Sequence, residues 1–207
     1  MHRFGADSVA YMTKHIGILL FDGVEELDAV GPWEVLSWWT RTSPDDGYEV
    51  FLMADSLEPM NCAKGMRILP DVRVDAAPPL EVLIYPGGRG TRRHLLDEQR
   101  LEWVRTQRET VPLMTSVCTG SLVYAAAGIL NGRPATTHWS TLDRLRELDQ
   151  SIEVRPDDRF VDDGDVITAA GVSAGIDMAL HLVARLAGVE RAREVRRGIQ
   201  YDPEPPV

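Results

Sequence analysis

Residues 113–128 constrain the fold more than any other stretch, and they read Leu-Met-Thr-Ser-Val-Cys-Thr-Gly-Ser-Leu-Val-Tyr-Ala-Ala-Ala-Gly. They begin as a short strand of apolar and β-branched residues and continue as an Ala-rich helix that a glycine closes. Cys118 lies at the junction. A strand that turns directly into a helix lifts the joining side chain out of the sheet, as in a nucleophile elbow, and Gly120 and Ser121 are small enough for this close turn.

This position makes Cys118 the first candidate for chemistry. The unpaired amides and positive dipole end of the new helix point at its side chain. We therefore predict that the thiol ionises below its usual pKa of about 8.5 and acts as a nucleophile. The alternative is a buried core thiol, since free cysteine is among the most buried residue types. The order strand, Cys-Thr-Gly-Ser, helix favours the nucleophile.

The bulk composition narrows the class of protein. A chain of 207 residues fits one large α/β domain. The net charge of −10 and the pI near 4.9 argue against nucleic acid or an anionic membrane as a partner. Two cysteines, Cys62 and Cys118, are too few for a disulfide framework, and this favours a reducing cytoplasm. Residues 1–13 lack the apolar run of a signal peptide, and no segment approaches the length of a membrane helix.

Strands and helices alternate along the rest of the chain. The predicted strands cover residues 15–21, 48–54, 82–85, 113–117 and 133–137, a small hairpin covers 62–70, and a further hairpin pairs 160–162 with 166–169. The predicted helices begin near Pro32, which fits a first helical turn, and then cover 95–104, 120–127, 139–148, 174–187 and 189–201.

This alternation predicts a flavodoxin-like α/β fold, a doubly wound and mostly parallel sheet with helices on both faces. Residues 14–201 are expected to form a single domain, preceded by an extension (1–13) and followed by a Pro-rich tail (202–207) that we expect to be disordered. Asp28, Gly88, Cys118 and His138 each follow a predicted strand. They are therefore expected to converge at the carboxyl edge of the sheet, where such folds bind ligands.

The glycines at 87, 88 and 90 match neither the dinucleotide fingerprint nor the P-loop. We predict that the amides of Gly88 and Thr119 form a two-donor oxyanion site beside the thiol, with Gly87 letting the backbone approach closely. The alternative is a glycine turn that serves only the path of the chain.

Asp28 is the candidate acid. Apolar residues surround it, so we expect it to point inward with a pKa raised by burial. The alternative for Asp28 and its neighbours Glu25 and Glu26 is a solvated helix start. His138 is either a base paired with Cys118 or a cap for the helix that follows, and His181 is expected in the core.

Three further features carry weaker expectations. No pair of cysteine and histidine residues has metal-ligand spacing, so we expect no metal site. Cys62 is either exposed at an oligomer contact or packed. Trp33, Trp38 and Trp39 shape either an apolar pocket or a dimer contact.

Five motifs in this order resemble the ThiJ/PfpI superfamily, and within it most closely the isonitrile hydratase branch. They are Phe-Asp-Gly-Val-Glu-Glu-Leu-Asp (21–28), Tyr-Pro-Gly-Gly (85–88), Ser-Val-Cys-Thr-Gly-Ser (116–121), Ala-Thr-Thr-His-Trp (135–139) and Ala-Gly-Val-Ser-Ala-Gly-Ile-Asp (170–177). The resemblance implies a homodimer, a small-molecule substrate and no cofactor. It places the nucleophile at Cys118, the acid at Asp28 and the residue after the nucleophile at Thr119.

The resemblance also implies the reaction, in which water adds to an isonitrile to give an N-substituted formamide. Asp28 would protonate the isonitrile carbon and Cys118 would attack it. Three alternatives use the same cysteine. They are a glyoxalase or deglycase acting on methylglyoxal, an amidase or peptidase with His138 paired to Cys118, and a non-enzymatic sensor that binds a small ligand or is oxidised at the thiol.

Overall fold

The computed structural model describes residues 13–204, and the predictions for residues 1–12 and 205–207 lie outside this range. The eleven strands, β1 to β11, are Lys14–Leu19, Tyr48–Ala54, Met60–Asn61, Arg67–Ile68, Val72–Arg73, Leu80–Tyr85, Leu113–Val117, Pro134–Ala135, Glu153–Val154, Phe160–Asp162 and Val166–Ala169. The seven helices, α1 to α7, are Glu26–Thr42, Thr91–His94, Glu98–Thr110, Gly120–Ala126, Leu142–Leu148, Ala174–Ala187 and Val189–Gly198.

Seven strands form the central sheet in the order β10-β11-β7-β6-β1-β2-β5. Every neighbouring pair is parallel except β10 and β11, which form the predicted antiparallel hairpin. The central order β2-β1-β6-β7-β11 is the flavodoxin-like 2-1-3-4-5, so the predicted fold is confirmed. It reverses between β1 and β6, and the carboxyl ends of these strands flank the crevice in which such sheets bind ligands.

The core lies between the sheet and two groups of helices. Strands β1, β6 and β7 read as nearly continuous apolar runs because helices cover both of their faces, and all five residues of β7 are buried. Helices α1, α6 and α7 pack on one another, while α4 contacts α2, α3 and α5. In the described range, no helix combines the length and apolar character that crossing a bilayer requires.

The first helix corrects one prediction. It begins at Glu26 rather than near Pro32, and the proline lies inside it. Pro32 has no N–H to donate to the carbonyl of Asp28, but packing compensates for the missing bond because the helix lies against α6. As a result Asp28 is on the first turn of a helix instead of in a loop.

Other boundaries also differ from the predictions. The helix predicted over 95–104 is α3, which begins at Glu98 and continues to Thr110, because the side chain of Asp97 caps it by accepting from the amides of Gln99 and Arg100. The strand predicted over 133–137 is only two residues long. It pairs with β9 in a separate small sheet, so His138 does not follow a strand of the central sheet.

His181 is not a core residue as predicted. It is only partly buried, and its Nε2 lies 2.6 Å from Oδ2 of Asp162. The predicted tail begins with an ordered contact, since Nη2 of Arg196 donates to Oδ1 of Asp202 over 2.7 Å.

Candidate active site

The elbow at Cys118 is formed as predicted. β7 ends at Val117, α4 begins at Gly120, and Cys118 between them has a φ of 57°. A non-glycine residue in this left-handed region is strained, and the surrounding bonds hold it there. The Cys118 amide donates to the carbonyls of Ala169 and Ala170 over 3.0 and 2.9 Å.

Small residues behind the elbow let the new helix pass close to the neighbouring strand. A Cβ on Gly120 would lie 2.1 Å from the carbonyl oxygen of Tyr85, so no larger residue fits. The hydroxyls of Ser121 and Thr137 both donate to the carbonyl of Cys118, over 3.0 and 2.9 Å. These bonds fix the backbone, and Cys118, which is 6% exposed, lies at the base of a cavity.

Asp28 points inward, as the sequence predicts, and is fully buried. Its Oδ2 accepts a 2.9 Å hydrogen bond from the amide of Gly87. Its Oδ1 is buried with no partner of conventional geometry among the described residues. The carboxyl also interacts with the thiol of Cys118. Burial raises the pKa of Asp28 to about 7, although the Gly87 amide and the thiol counteract part of this effect.

The thiol does not behave as predicted. Burial, and then the charge of Asp28, raise the pKa of Cys118 to about 12. The amides of Thr119 and Val172 point toward the sulfur and favour the thiolate, but they do not outweigh desolvation beside a carboxylate. The prediction of a lowered thiol pKa is therefore wrong. Thiol and carboxyl instead form an interacting pair in which each group shifts the pKa of the other.

The loop after β6 differs from the predicted oxyanion site. The Gly88 amide donates to Oγ1 of Thr119 over 2.9 Å, so it does not face the cavity. Thr91 also donates to that oxygen, over 3.0 Å. The Gly88 amide, which was predicted to bind an anion, is therefore occupied by the side chain of Thr119. Of the two predicted amides, only that of Thr119 is directed at the reacting sulfur.

Gly87 allows the close backbone approach that was predicted, and it also contacts Asp28. Its amide supports Asp28, and a Cβ on it would lie 2.5 Å from the Thr119 amide and 2.9 Å from the Asp28 carboxylate. Glycine is therefore required for the strand end to approach both residues.

His138 caps a short turn over Trp139–Thr141, the second of its two predicted roles. Its Nδ1 lies 2.8 Å from Oγ of Ser140 and accepts from the Ser140 amide over 3.3 Å. Burial lowers the pKa of its imidazole. Among residues 13–204, it makes no hydrogen bond to Cys118, although its ring lines the cavity.

Val172 lies in the last of the five family motifs (170–177), and the sequence predicts no role for it. It follows β11, has a φ of 52° and lines the cavity. A β-branched residue in this conformation is a clear outlier. Its amide is directed at both Cys118 and Asp28. The carboxyl end of β11 could have suggested such a residue, but sequence patterns do not predict the orientation of one amide.

The cavity above the thiol has a volume of about 350 Å³, which suits a small molecule. Its lining includes Glu25, Gly88, Arg89, Thr91, Arg92, Leu95, Cys118, Thr119, Leu122, His138, Ser140, Thr141, Arg144 and Val172. Trp33, Trp38 and Trp39 are absent from this lining; Trp39 is buried and Trp38 packs against Gly198. No cluster of metal-ligating side chains occurs in the described part of the chain.

Comparison with known proteins agrees with this geometry. The chain matches the DJ-1/PfpI family over residues 14–185. It is 42% identical over 195 residues to isonitrile hydratase of Pseudomonas putida, covering 94% of this chain and 82% of that protein. It is 31% identical over 151 residues to the glutathione-independent glyoxalase DJR-1.2 of Caenorhabditis elegans, covering 72% and 79%. A crystal structure of a ThiJ/PfpI family protein from Pseudomonas syringae superposes with a TM-score of 0.83 at 33% identity, covering 100% and 84%.

Proposed function

The chain belongs to the DJ-1/PfpI family, and from this membership we propose that it is an isonitrile hydratase-like enzyme that converts an isonitrile and water to an N-substituted formamide. The observation that carries the proposal is the pairing of the Cys118 thiol with the buried Asp28 carboxyl. An isonitrile carbon must receive both a proton and a nucleophile, and these two groups supply them. The 42% identity to the P. putida enzyme supports this reaction over others of the family.

The first proposed step forms a covalent intermediate. With one proton on the pair, its transfer from the thiol to the carboxylate gives a thiolate beside a neutral carboxylic acid. Asp28 donates its proton to the isonitrile carbon while the sulfur of Cys118 bonds to the same carbon. The product is a thioimidate, and Asp28 becomes a carboxylate.

The second step is hydrolysis. Asp28 removes a proton from water, the hydroxide adds to the thioimidate carbon, and the proton passes to the nitrogen. The tetrahedral intermediate then collapses: its hydroxyl proton returns to Asp28, the C–S bond breaks, and the formamide leaves. The pair again holds one proton. The amides of Thr119 and Val172 stabilise the thiolate as it departs.

The test is turnover of cyclohexyl isonitrile, followed by formation of the formamide. We expect turnover by the native protein and by Cys62→Ala, which removes the other cysteine, and none by Cys118→Ala. Turnover that survives in Cys118→Ala would rule out the covalent route. No turnover of any isonitrile by the native protein would rule out the hydratase.

One other reaction has specific support, since the similar protein of Caenorhabditis elegans is a glyoxalase. Methylglyoxal tested under the same conditions separates the two, because a glyoxalase would consume it in preference to the isonitrile. An amidase would need His138 paired with Cys118 as base, yet among residues 13–204 the hydrogen bonds of the His138 ring go to Ser140 and not to the thiol. A peroxide sensor would give oxidised Cys118 and no turnover.

We also propose that the enzyme works as a homodimer in the cytoplasm on a small molecule. The family resemblance supports the dimer, and the cysteine usage supports the compartment. Light scattering coupled to size-exclusion chromatography tests the oligomeric state.

A further inference from the structure

The cavity lining has an unusual balance of charge for this protein. It holds three guanidinium groups, on Arg89, Arg92 and Arg144, and one carboxylate, on Glu25. The chain as a whole has a net charge of −10. A concentration of positive charge at the entrance to a cavity, on a protein that is otherwise acidic, favours the approach of an anion.

The positive charges come from three separate elements. Arg89 lies in the loop after β6, Arg92 is on α2 and Arg144 is on α5. Helices α2 and α5 both contact α4, the helix that begins behind Cys118. All three arginines are exposed whereas Cys118 is buried, so they surround the outer part of the cavity.

The three arginines differ in the hydrogen bonds and ion pairs that their guanidinium groups make within the protein. Arg89 donates to the carbonyl of Ala63. Arg144 donates to Oε2 of Glu147 over 2.9 Å, an exposed pair on the same helix. The guanidinium of Arg92 makes no hydrogen bond or ion pair with any residue between 13 and 204, so it is available to a ligand.

The carboxylate of Glu25 offsets only part of this charge because Lys64 binds it, although Nζ of Lys64 also lies 3.7 Å from Oε2 of Glu26. The Glu25 side chain is 14% exposed and its Oε1 accepts from Nζ of Lys64. Deeper in the cavity, Leu95, Leu122 and Val172 supply apolar surface around the thiol. The site therefore suits a small molecule with an apolar centre and a negatively charged outer end.

We propose that the substrate is an isonitrile that carries a carboxylate at the end away from its reacting carbon, with Arg92 and Arg144 binding that carboxylate. The inference rests on the proposed function for the identity of the reacting group. The binding of the anion rests on the arginines alone. Guanidinium groups bind carboxylates through paired hydrogen bonds, and this gives direction as well as affinity.

The first experiment does not require turnover. Iodoacetate and iodoacetamide alkylate thiols by the same reaction and differ in one negative charge. Their rates at Cys118 are measured by mass spectrometry of the peptide that contains it. We expect Arg92→Gln/Arg144→Gln to lower the ratio of the iodoacetate rate to the iodoacetamide rate by about three- to tenfold at low ionic strength, and added salt to lower the ratio in the native protein.

Two neighbouring arginines provide matched controls. Arg93 is on the same helix as Arg92 but lines a different cavity, beside His94 and Asp97. Arg146 is on the same helix as Arg144 and pairs with Asp143 over 2.7 Å. The double variant Arg93→Gln/Arg146→Gln removes the same net charge. It is expected to keep the native ratio, and an equal fall in both double variants would overturn the proposal.

The second experiment measures kcat/KM for 3-isocyanopropanoate and its methyl ester, with cyclohexyl isonitrile as the neutral reference. We expect the native enzyme to prefer the carboxylate by about tenfold or more, and Arg92→Gln/Arg144→Gln to lose this preference through KM. Turnover of the neutral substrates without this preference would overturn the inference and leave the hydratase standing. A shifted alkylation ratio without turnover of any isonitrile would overturn the hydratase and leave the anion site standing.

Discussion

The amide of Gly87 donates a 2.9 Å hydrogen bond to Oδ2 of Asp28, and this bond holds the carboxyl beside the thiol of Cys118. One oxygen of Asp28 is thereby fixed, and the other is buried with no partner of conventional geometry in the described chain. A carboxyl held by one bond and otherwise desolvated retains its proton to a higher pH than an exposed one. The first three predictions follow from this arrangement.

Asp28→Asn should lower kcat/KM for cyclohexyl isonitrile by at least about a hundredfold, the usual contribution of a general acid. Asparagine has nearly the same shape and can still accept from Gly87, so the fold should persist. Circular dichroism would check this. Full activity in a folded Asp28→Asn protein would show that another group delivers the proton.

The pH dependence of kcat/KM should reflect the proton on Asp28. The proposed first step needs a single proton on the pair of Asp28 and Cys118. Below pH 7 both groups are protonated, because their pKa values are raised to about 7 and about 12. The rate of isonitrile hydration should therefore rise as the pH rises through about 7 and then level off. A rate profile over pH 5–9 would measure this. A rate that falls across the same range would indicate that the fully protonated pair is the reactive form.

The same shift predicts a stability effect of defined sign. In the unfolded chain Asp28 loses its proton near its usual pKa of 3.8, whereas the folded protein keeps it to about pH 7. The folded state thus binds the extra proton, and its free energy of unfolding must fall as the pH rises between these values. Asp28→Asn cannot titrate, so its stability relative to the native protein should grow by roughly 2–4 kcal/mol from pH 4 to pH 8. Urea unfolding of both proteins at the two pH values measures the difference, and a constant difference would contradict the raised pKa.

The sequence predicted the sheet, the elbow and the inward-facing acid because each has a strong local signal. The stretch 113–128 contains the small residues that a strand-to-helix turn requires. The alternation of apolar strands with helices predicts a mostly parallel sheet. The two-residue strands β5 and β9 were missed, since so short a strand has no periodicity. Pro32 was placed at a helix start because packing against α6 cannot be seen from local sequence.

The site was less predictable than the fold. The thiol pKa was predicted in the wrong direction because the helix dipole is a local property, whereas burial and the proximity of Asp28 depend on the tertiary structure. The Gly88 amide was assigned to an anion because sequence does not reveal that Thr119 accepts from it. Hydrogen-bond partners of loop amides are set by orientation, which residue type alone does not determine.

Thr119→Val tests that hydrogen bond. Valine has nearly the same shape but no acceptor, so the Gly88 amide and the Thr91 hydroxyl would both lose the partner that they contact at 2.9 and 3.0 Å. We expect the free energy of unfolding to fall by about 1–3 kcal/mol, together with a lower kcat. Thr119→Ser keeps the oxygen and should restore most of both. If the valine and serine variants behave alike, the loss comes from packing and not from the hydrogen bond.

Gly120→Ala tests the close approach at the elbow. The new Cβ would lie 2.1 Å from the carbonyl oxygen of Tyr85, and backbone cannot move aside as a flexible side chain can. We expect the free energy of unfolding to fall by about 3 kcal/mol or more, since overpacking of a buried site is among the few causes of losses this large. Gly188→Ala is the control: its φ of 95° is unfavourable for alanine, but its Cβ would meet nothing within 4 Å. That variant should lose only about 1–2 kcal/mol. Gly120 has no positive φ, so a loss no larger than that of Gly188→Ala would mean that the structure relaxes around the new Cβ and that the approach of α4 to the end of β6 does not require a glycine.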